Sequence, residues 1–139
     1  MYGVLDISTS GMIAQRTRLA AISNNIANRN TLRDPQGNYD PYRRREVMLA
    51  PGDPSASSAG GRAMGVHVAE VAIQHHAIRS AERPGSPHDH DGDGYIMVPD
   101  INPVFEQVNA MEAVRAYEAN AAAAEATKQM VAQALRLLA

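Results

Sequence analysis

The sequence predicts a mainly α fold with a small β insert: long N- and C-terminal helices packed as a coiled-coil-like pair, with a central β-rich segment between them. Three observations predict it. Apolar residues recur at helical spacing over residues 1–30 and again, for longer, over residues 103–139. The stretch between them is too rich in Gly, Pro, Asp and His to be helical throughout. Large aromatic anchors are scarce, with one Phe, five Tyr and no Trp in 139 residues. Alanine is abundant instead, which favours close helix packing through small side chains. The expected layout is an N-terminal helix over 1–30, an extended loop over 31–46, a small β-rich insert over 47–102 and a C-terminal helix over 103–139.

In the first helix Leu5, Met12, Leu19 and Ile26 recur every seven residues, and Ile22 follows Leu19 by three. This is a heptad-like seam, with Ser8 and Gln15 at its weaker positions. Gly11 interrupts it at a cost of about 1 kcal/mol relative to Ala. Its presence points either to a close contact at Gly11 or to a helix ordered only on assembly. The helix is expected to end near Asn28–Asn30.

Residues 33–45 hold two prolines and a Gly-Asn pair and read as an extended loop with turns. Glu46-Val47-Met48-Leu49 is a strand candidate. Residues 51–62, with Pro51, Gly52, Pro54, Gly60 and Gly61, read as a flexible loop. Met64, Val66 and Val68 alternate with Gly65 and His67 and lead to Val71, a strand pattern. Tyr95-Ile96-Met97-Val98, bounded by Gly94 and Pro99, is another, so the insert is expected to hold two to four strands.

Pro103 suits the first turn of the last helix, with Asn102 as its cap. Val104, Val108, Met111, Val114, Tyr117, Ala121 and Ala124 mark one face, which Val131, Leu135 and Leu138 continue. Ala121–Ala124 and Ala126 leave a section with little bulk, where a neighbouring helix can approach closely. About 36 residues at ~1.5 Å each make a rod of about 54 Å. A chain of this size cannot bury such a rod alone. The stripes fit two readings: an internal antiparallel helical hairpin, or helices that complete themselves on partners.

Composition excludes several classes. With no cysteine there is neither a disulfide framework nor a thiolate metal site. No apolar run approaches the ~18–20 residues that span a bilayer, so the chain is not expected to be membrane-embedded. The N-terminus has no signal-peptide pattern, which implies a cytosolic protein or one exported without cleavage. Net charge is −2 and implies no nucleic-acid partner. The charge is uneven: residues 1–46 hold seven Arg against four acids, and residues 47–139 hold six Lys or Arg against eleven. Such ends could order neighbouring subunits.

Asp89-His90-Asp91-Gly92-Asp93-Gly94, continuing to Asp100, matches much of a calcium loop, with carboxylates at positions 1, 3 and 5 and Gly at 6. Asp100 replaces the usual bidentate Glu at position 12, Pro99 precedes it, and the flank Arg83-Pro84-Gly85-Ser86-Pro87 is not a helix. The expected structure is an acidic turn ahead of a strand. His75-His76 and His88/His90 lack zinc-ligand spacing, so no metal and no cofactor is expected. Arg43-Arg44-Arg45 is expected to pair with acidic neighbours rather than with phosphate. No catalytic constellation stands out, so neither an enzyme nor a small-molecule substrate is expected.

Asn24, Asn25, Asn28 and Asn30 crowd a helix end although Asn is a poor helix former. Fraying accounts for the last two. Asn24 and Asn25 need another use, such as bonding to a neighbouring helix.

The segment Ser23-Asn24-Asn25-Ile26-Ala27-Asn28-Arg29-Asn30-Thr31 resembles the N-terminal signature of bacterial flagellar rod, hook and hook-associated proteins. Asn109 through Lys128, with Arg115-Ala116-Tyr117-Glu118-Ala119-Asn120, resembles the C-terminal helix signature of the same family. Both lie at the correct ends. Short length and the stretches Tyr42–Val47, Gly65–Val71 and Pro84–Asn102 resemble the proximal rod members. Asp34-Pro35-Gln36-Gly37-Asn38-Tyr39 replaces the Pro-Gly-Tyr of the longer rod and hook proteins.

The resemblance implies a structural subunit exported unfolded through the flagellar type III apparatus. Its helices would fold on joining a tube of its own copies and other rod proteins across the periplasm. That tube transmits torque and encloses the export channel. The expected subunit-interface residues are Leu5, Met12, Leu19, Ile22 and Ile26 against Val104, Val108, Met111, Val114, Tyr117, Val131, Leu135 and Leu138. Asn24, Asn25 and Asn120 would be polar contacts that set register, and Asn28, Asn30 and Thr31 are expected at the interface too. Two rival readings are a calcium-binding module using Asp89, Asp91, Asp93 and Asp100, and a soluble helical adaptor that folds alone.

Overall fold

Two long helices and a β insert make up the chain. The computed structural model describes residues 2–89 and 92–138, apart from the side chains of Tyr2 and Leu138. In chain order the elements are α1 (Tyr2–Ala27), β1 (Arg45–Pro51), α2 (Ala59–Met64), β2 (Val66–Ile73), β3 (Ile78–Glu82), β4 (Tyr95–Pro99) and α3 (Pro103–Leu138).

The two long helices run antiparallel. Asn25 meets Glu106 at 3.0 Å and Arg18 meets Glu112 at 3.1 Å. A Cβ placed on Gly11 would lie 2.8–2.9 Å from the Asn120 amide. Of the two explanations for Gly11, close contact is the one observed, and α1 is continuous through it. Asn102 caps α3, its side-chain oxygen accepting from the Val104 N–H at 2.9 Å, which satisfies one of the orphan donors of a helix start.

The seam differs from the expected valine stripe. On α3 the buried residues are Glu106, Ala113 and Thr127, with half-buried Asn120 completing a seven-residue repeat. On α1 Ser8, Gly11, Ala14, Ala21, Ile22 and Asn25 are buried, and Leu5, Met12, Leu19 and Ile26 are half-buried. Val104, Val108, Met111, Val114, Tyr117 and Leu135 are exposed instead of buried in the seam. Val131 is half-buried, and the Leu138 side chain lies outside the described residues. The reason is rotational. At ~100° per residue, Val104 and Val108 lie about 160° around the helix from Glu106. The Asn25–Glu106 bond and the close approach at Gly11 turn the polar, small-residue stripe inward, leaving the valines outside.

β1, β2 and α2 pack on α1, while β3 and β4 pack chiefly on each other. β1 pairs antiparallel with β2 from Arg45↔Ile73 to Pro51↔Val66, with a bulge between Met48 and Leu49. β3 pairs antiparallel with β4 from Ile78↔Pro99 to Glu82↔Tyr95. Ser10 ties α1 to β2, its hydroxyl accepting from the Val66 N–H at 3.0 Å. The Tyr39 hydroxyl donates to the Met97 carbonyl at 2.6 Å, and its ring stacks on His88, joining the 33–39 turn to β4.

Two elements depart from the sequence reading. Part of the expected flexible loop at 51–62 forms α2, so the strand expected from Met64 begins at Val66. Ser58 caps α2 by accepting from the Gly61 N–H at 3.0 Å, while Asp6 of α1 accepts from the Ser58 N–H at 3.1 Å. A Cβ on Gly61 would come within 2.7–2.8 Å of the Ala56 and Asp6 Cβ atoms. The two glycines that suggested a loop instead permit close docking on α1. β3 was not expected, because Ile78-Arg79-Ser80-Ala81-Glu82 has no apolar alternation; pairing with β4 makes it a strand.

The Ser58 side chain and backbone N–H, with Ser57 behind them, hold the Asp6 carboxyl below the usual carboxylate range against desolvation. A depressed folded-state value favours the fold above the unfolded value, and that contribution is lost as pH falls through the folded one. Acidification into the carboxylate range is therefore expected to release α2 from α1, read as faster proteolysis at residues 53–65. Asp6→Asn should flatten that component of the pH dependence; an unchanged profile would remove Asp6 from the account.

Candidate functional site

The candidate site is an assembly surface with a polar junction beneath it. The junction forms where α1 ends, β1 begins and α3 begins. Asn25 is fully buried and Glu106 is 2% exposed. The Asn25 side-chain N–H₂ donates to the Arg45 carbonyl at 2.9 Å and to Glu106 Oε2 at 3.0 Å. Its oxygen accepts from the Arg45 N–H at 2.9 Å and from the Tyr42 hydroxyl at 3.1 Å. Thus one amide reads both main-chain groups of Arg45 and one carboxylate oxygen. Glu106 Oε1 accepts from Arg44 Nε at 2.8 Å. Arg44 also reaches Gln74 at 3.3 Å and Glu46 at 3.8 Å, and Gln74 donates to Glu46. Burial raises the pKa of the Tyr42 hydroxyl, partly offset by the Arg45 cation, so it stays a neutral donor to Asn25. Every buried polar group here has a partner, which such a network needs to be stabilising.

The other asparagines divide by role. Asn28 Nδ2 donates to the Asn24 carbonyl at 2.9 Å, and Thr31 donates to Asn28 Oδ1 at 3.1 Å; these bonds finish the helix, as fraying alone would not. The Asn24 and Asn30 side chains are exposed. Asn120 Nδ2 donates to the Ala116 carbonyl of its own helix at 2.8 Å and lies over Gly11. In the arginine run, Arg43 pairs with Asp40 at 2.8 Å and Arg44 with Glu106. Arg45 instead lies 5.8 Å over the Tyr42 ring, a cation–π distance.

Above this junction the outer face of α3 is bare. Val104 is 62% exposed, Phe105 68%, Val108 58% and Met111 57%. These residues form a contiguous apolar strip of a kind that marks interaction surfaces. Phe105, the single phenylalanine, was missed as a candidate because it falls outside the stripe counted from Val104. Arg44 and Glu106 were missed as partners because 62 residues separate them and no spacing rule connects them.

The acidic loop is built as a turn. Asp89 accepts from the Gly92 and Gly94 N–H groups, both at 2.8 Å, and Asp93 accepts from the Tyr95 N–H at 2.9 Å. These oxygens are committed to backbone amides rather than converging on a cation. Asp100 lies beyond β4 near Arg79. His90 and Asp91 lie outside the described residues. Among the described residues no group of three or more His, Asp or Glu side chains is gathered as a metal site. His75 and His76 are exposed. Among the described residues no helix is long and apolar enough to cross a membrane.

A helical hairpin locked at one end by a buried polar junction, with its larger apolar face outward, is the architecture of a structural assembly subunit. Residues 5–33 match the family model described as flagella basal body rod protein, and residues 93–137 match that of the flagellar basal body rod FlgEFG protein C-terminal region. The chain is 34% identical to the flagellar basal-body rod protein FlgC of Bacillus subtilis, over 96% of this chain and 95% of that one. It is 33% identical to the FlgC proteins of Borreliella burgdorferi and Salmonella typhimurium, over 99% of this chain and 97% of each relative. The chain belongs to the flagellar basal-body rod protein family.

Proposed function

We propose that this structural subunit of the flagellar basal-body rod joins its neighbours through the outer face of α3. The observation that carries the reading is the exposure of Val104, Phe105, Val108 and Met111 on a helix whose main packing is against α1 alone. Val114 borders this surface, whereas exposed Tyr117 and Leu135 lie about 120° or more around the helix from it. Burying these side chains against a partner contributes about 1.5–3 kcal/mol for each one fully covered. Leu5, Met12, Leu19, Ile26 and Val131, half-buried in the single chain, are completed in the same way; Asn24 and Asn30 supply polar contacts at the helix end.

Partners on this reading are copies of the chain and other rod proteins. The subunit leaves the cell unfolded through the flagellar type III export apparatus. It joins a tube that crosses the periplasm, encloses the export channel and transmits torque. It has no catalytic role.

Helicity of the purified full chain, alone and with neighbouring rod proteins, tests the reading. A gain in helicity on mixing supports it; a fully helical monomer that ignores them counts against it. Val108→Asp with Met111→Asp is expected to change the monomer's unfolding free energy, read by urea titration, by no more than about 1 kcal/mol, because both sites are exposed. The same pair is expected to abolish assembly, and normal assembly by it would show that this face is not the interface.

A further inference from the structure

We infer that a basic cleft at the end of α1 takes the acidic stripe of α3 from a second copy of this chain. The inference rests on the proposed assembly role and specifies one contact within it. The cleft, about 520 Å³, lies between the 31–43 loop and β1, with Arg33, Arg43, Arg45, Tyr42 and Ile73 in its wall. Its two acids are Asp40, which pairs with Arg43, and Asp34, which accepts from the neutral Asn38 and keeps its charge, so three arginines face two carboxylates in the lining. Arg33 faces His88, with its Nε 3.5 Å from His88 Nε2. Arg33 and Arg45 are exposed and make no ion pair among the described residues. The cleft therefore presents two guanidinium groups held in no ion pair and a net positive lining beside an apolar patch, a combination suited to carboxylates on an apolar helix face.

The same chain carries such a face. Met111, Glu118 and Glu125 fall at seven-residue steps on the exposed side of α3, so they share one stripe. Glu118 and Glu125 pair with neither Arg115 nor Lys128 on their own helix, nor with any other cation among the described residues. They stand about 10 Å apart along the axis. Within one molecule they cannot reach the cleft, which sits level with Glu106: Glu118 is about 18 Å further along α3. The uneven charge of the chain thus has an intermolecular use. Because cleft and stripe are different patches, the contact is heterologous and staggers successive copies along the axis, the geometry of a helical array rather than of a closed dimer.

Exposed ion pairs are individually weak, so the test uses charge reversal on the full chain. Arg33→Glu with Arg45→Glu, and separately Glu118→Arg with Glu125→Arg, are each expected to weaken self-association about tenfold in sedimentation. An equimolar mixture of the two variants should recover the wild-type value, since each cleft then meets a complementary stripe. Wild-type association should fall towards that of the variants near 1 M salt, where the screening length is ~3 Å. Arg45→Gln, which preserves the main-chain bonds to Asn25, serves as a milder probe if the reversal perturbs folding, and should give an intermediate loss. Wild-type association in either reversed variant, or failure of the mixture to recover, overturns the inference while leaving the assembly role intact. A cleft that binds another protein's acidic segment gives that same result. A wild-type chain that associates neither with itself nor with other rod proteins would overturn both.

Discussion

Glu106→Ala is expected to lower the unfolding free energy by about 3 kcal/mol. Removing one partner of a buried ion pair costs about 3–5 kcal/mol. The lower end applies because Arg44 retains Gln74 and Glu46 within reach and its side chain is 23% exposed. Asn25 would also lose one of its two acceptors but keep the Arg45 carbonyl. Glu106→Gln preserves shape and one neutral acceptor, so its cost should be nearer 1–1.5 kcal/mol. Urea midpoints at constant slope read both changes directly. The junction joins elements distant in sequence, so Glu106→Ala should also raise proteolytic cleavage around Pro103, where α3 meets the insert. Equal midpoints for wild type and Glu106→Ala would mean that the carboxylate contributes nothing net to the fold.

Gly11→Val is the second large effect. Alanine at this position would gain about 1 kcal/mol of helix propensity, but its Cβ would come within 2.8–2.9 Å of the Asn120 amide atoms. The amide is the end of a flexible side chain and can move, so Gly11→Ala should be close to neutral. Valine adds two methyl groups in the same space. Overpacking costs about 1–3 kcal/mol, and here it also separates the helices, uncovering Ala14 and Ala113. Gly11→Val should thus destabilise by about 3 kcal/mol and make α3 the first segment to lose amide protection. Asn120→Ala in the same chain should recover much of the loss. If Gly11→Val is as stable as wild type, the close approach is not what holds the helices together.

These two sites mark where the sequence could be read and where it could not. The helices and their approximate ends were legible, and a close contact at Gly11 was one of two readings of that residue, because helical periodicity and glycine in a helix each have a local physical cause. The Asn24/Asn25 anomaly was legible as a strain needing an explanation, and Asn25 supplies one. Asn24, side by side with it in sequence, is exposed, since neighbouring helical positions point about 100° apart. Which face of α3 meets α1 was not legible. Hydrophobic counting selected Val104, Val108 and Met111, whereas the seam uses Glu106, Ala113, Asn120 and Thr127. Counting apolar residues assumes that the largest apolar face is buried within the chain. In an assembly subunit that face is the one left for the neighbour.

The insert teaches the same lesson on a smaller scale. β2 and β4 show in their alternation, but β3 becomes a strand only through its partner, and α2 only through Ser58, Asp6 and the tight docking of Gly61. By itself the sequence determined that two long helices flank a small β insert, because periodicity, proline and capping residues act over a few positions. Only the tertiary structure decided how α3 is turned about its axis and what Arg44 and Glu106 are for. Those outcomes depend on hydrogen bonds between groups far apart in the chain, where local spacing carries no information.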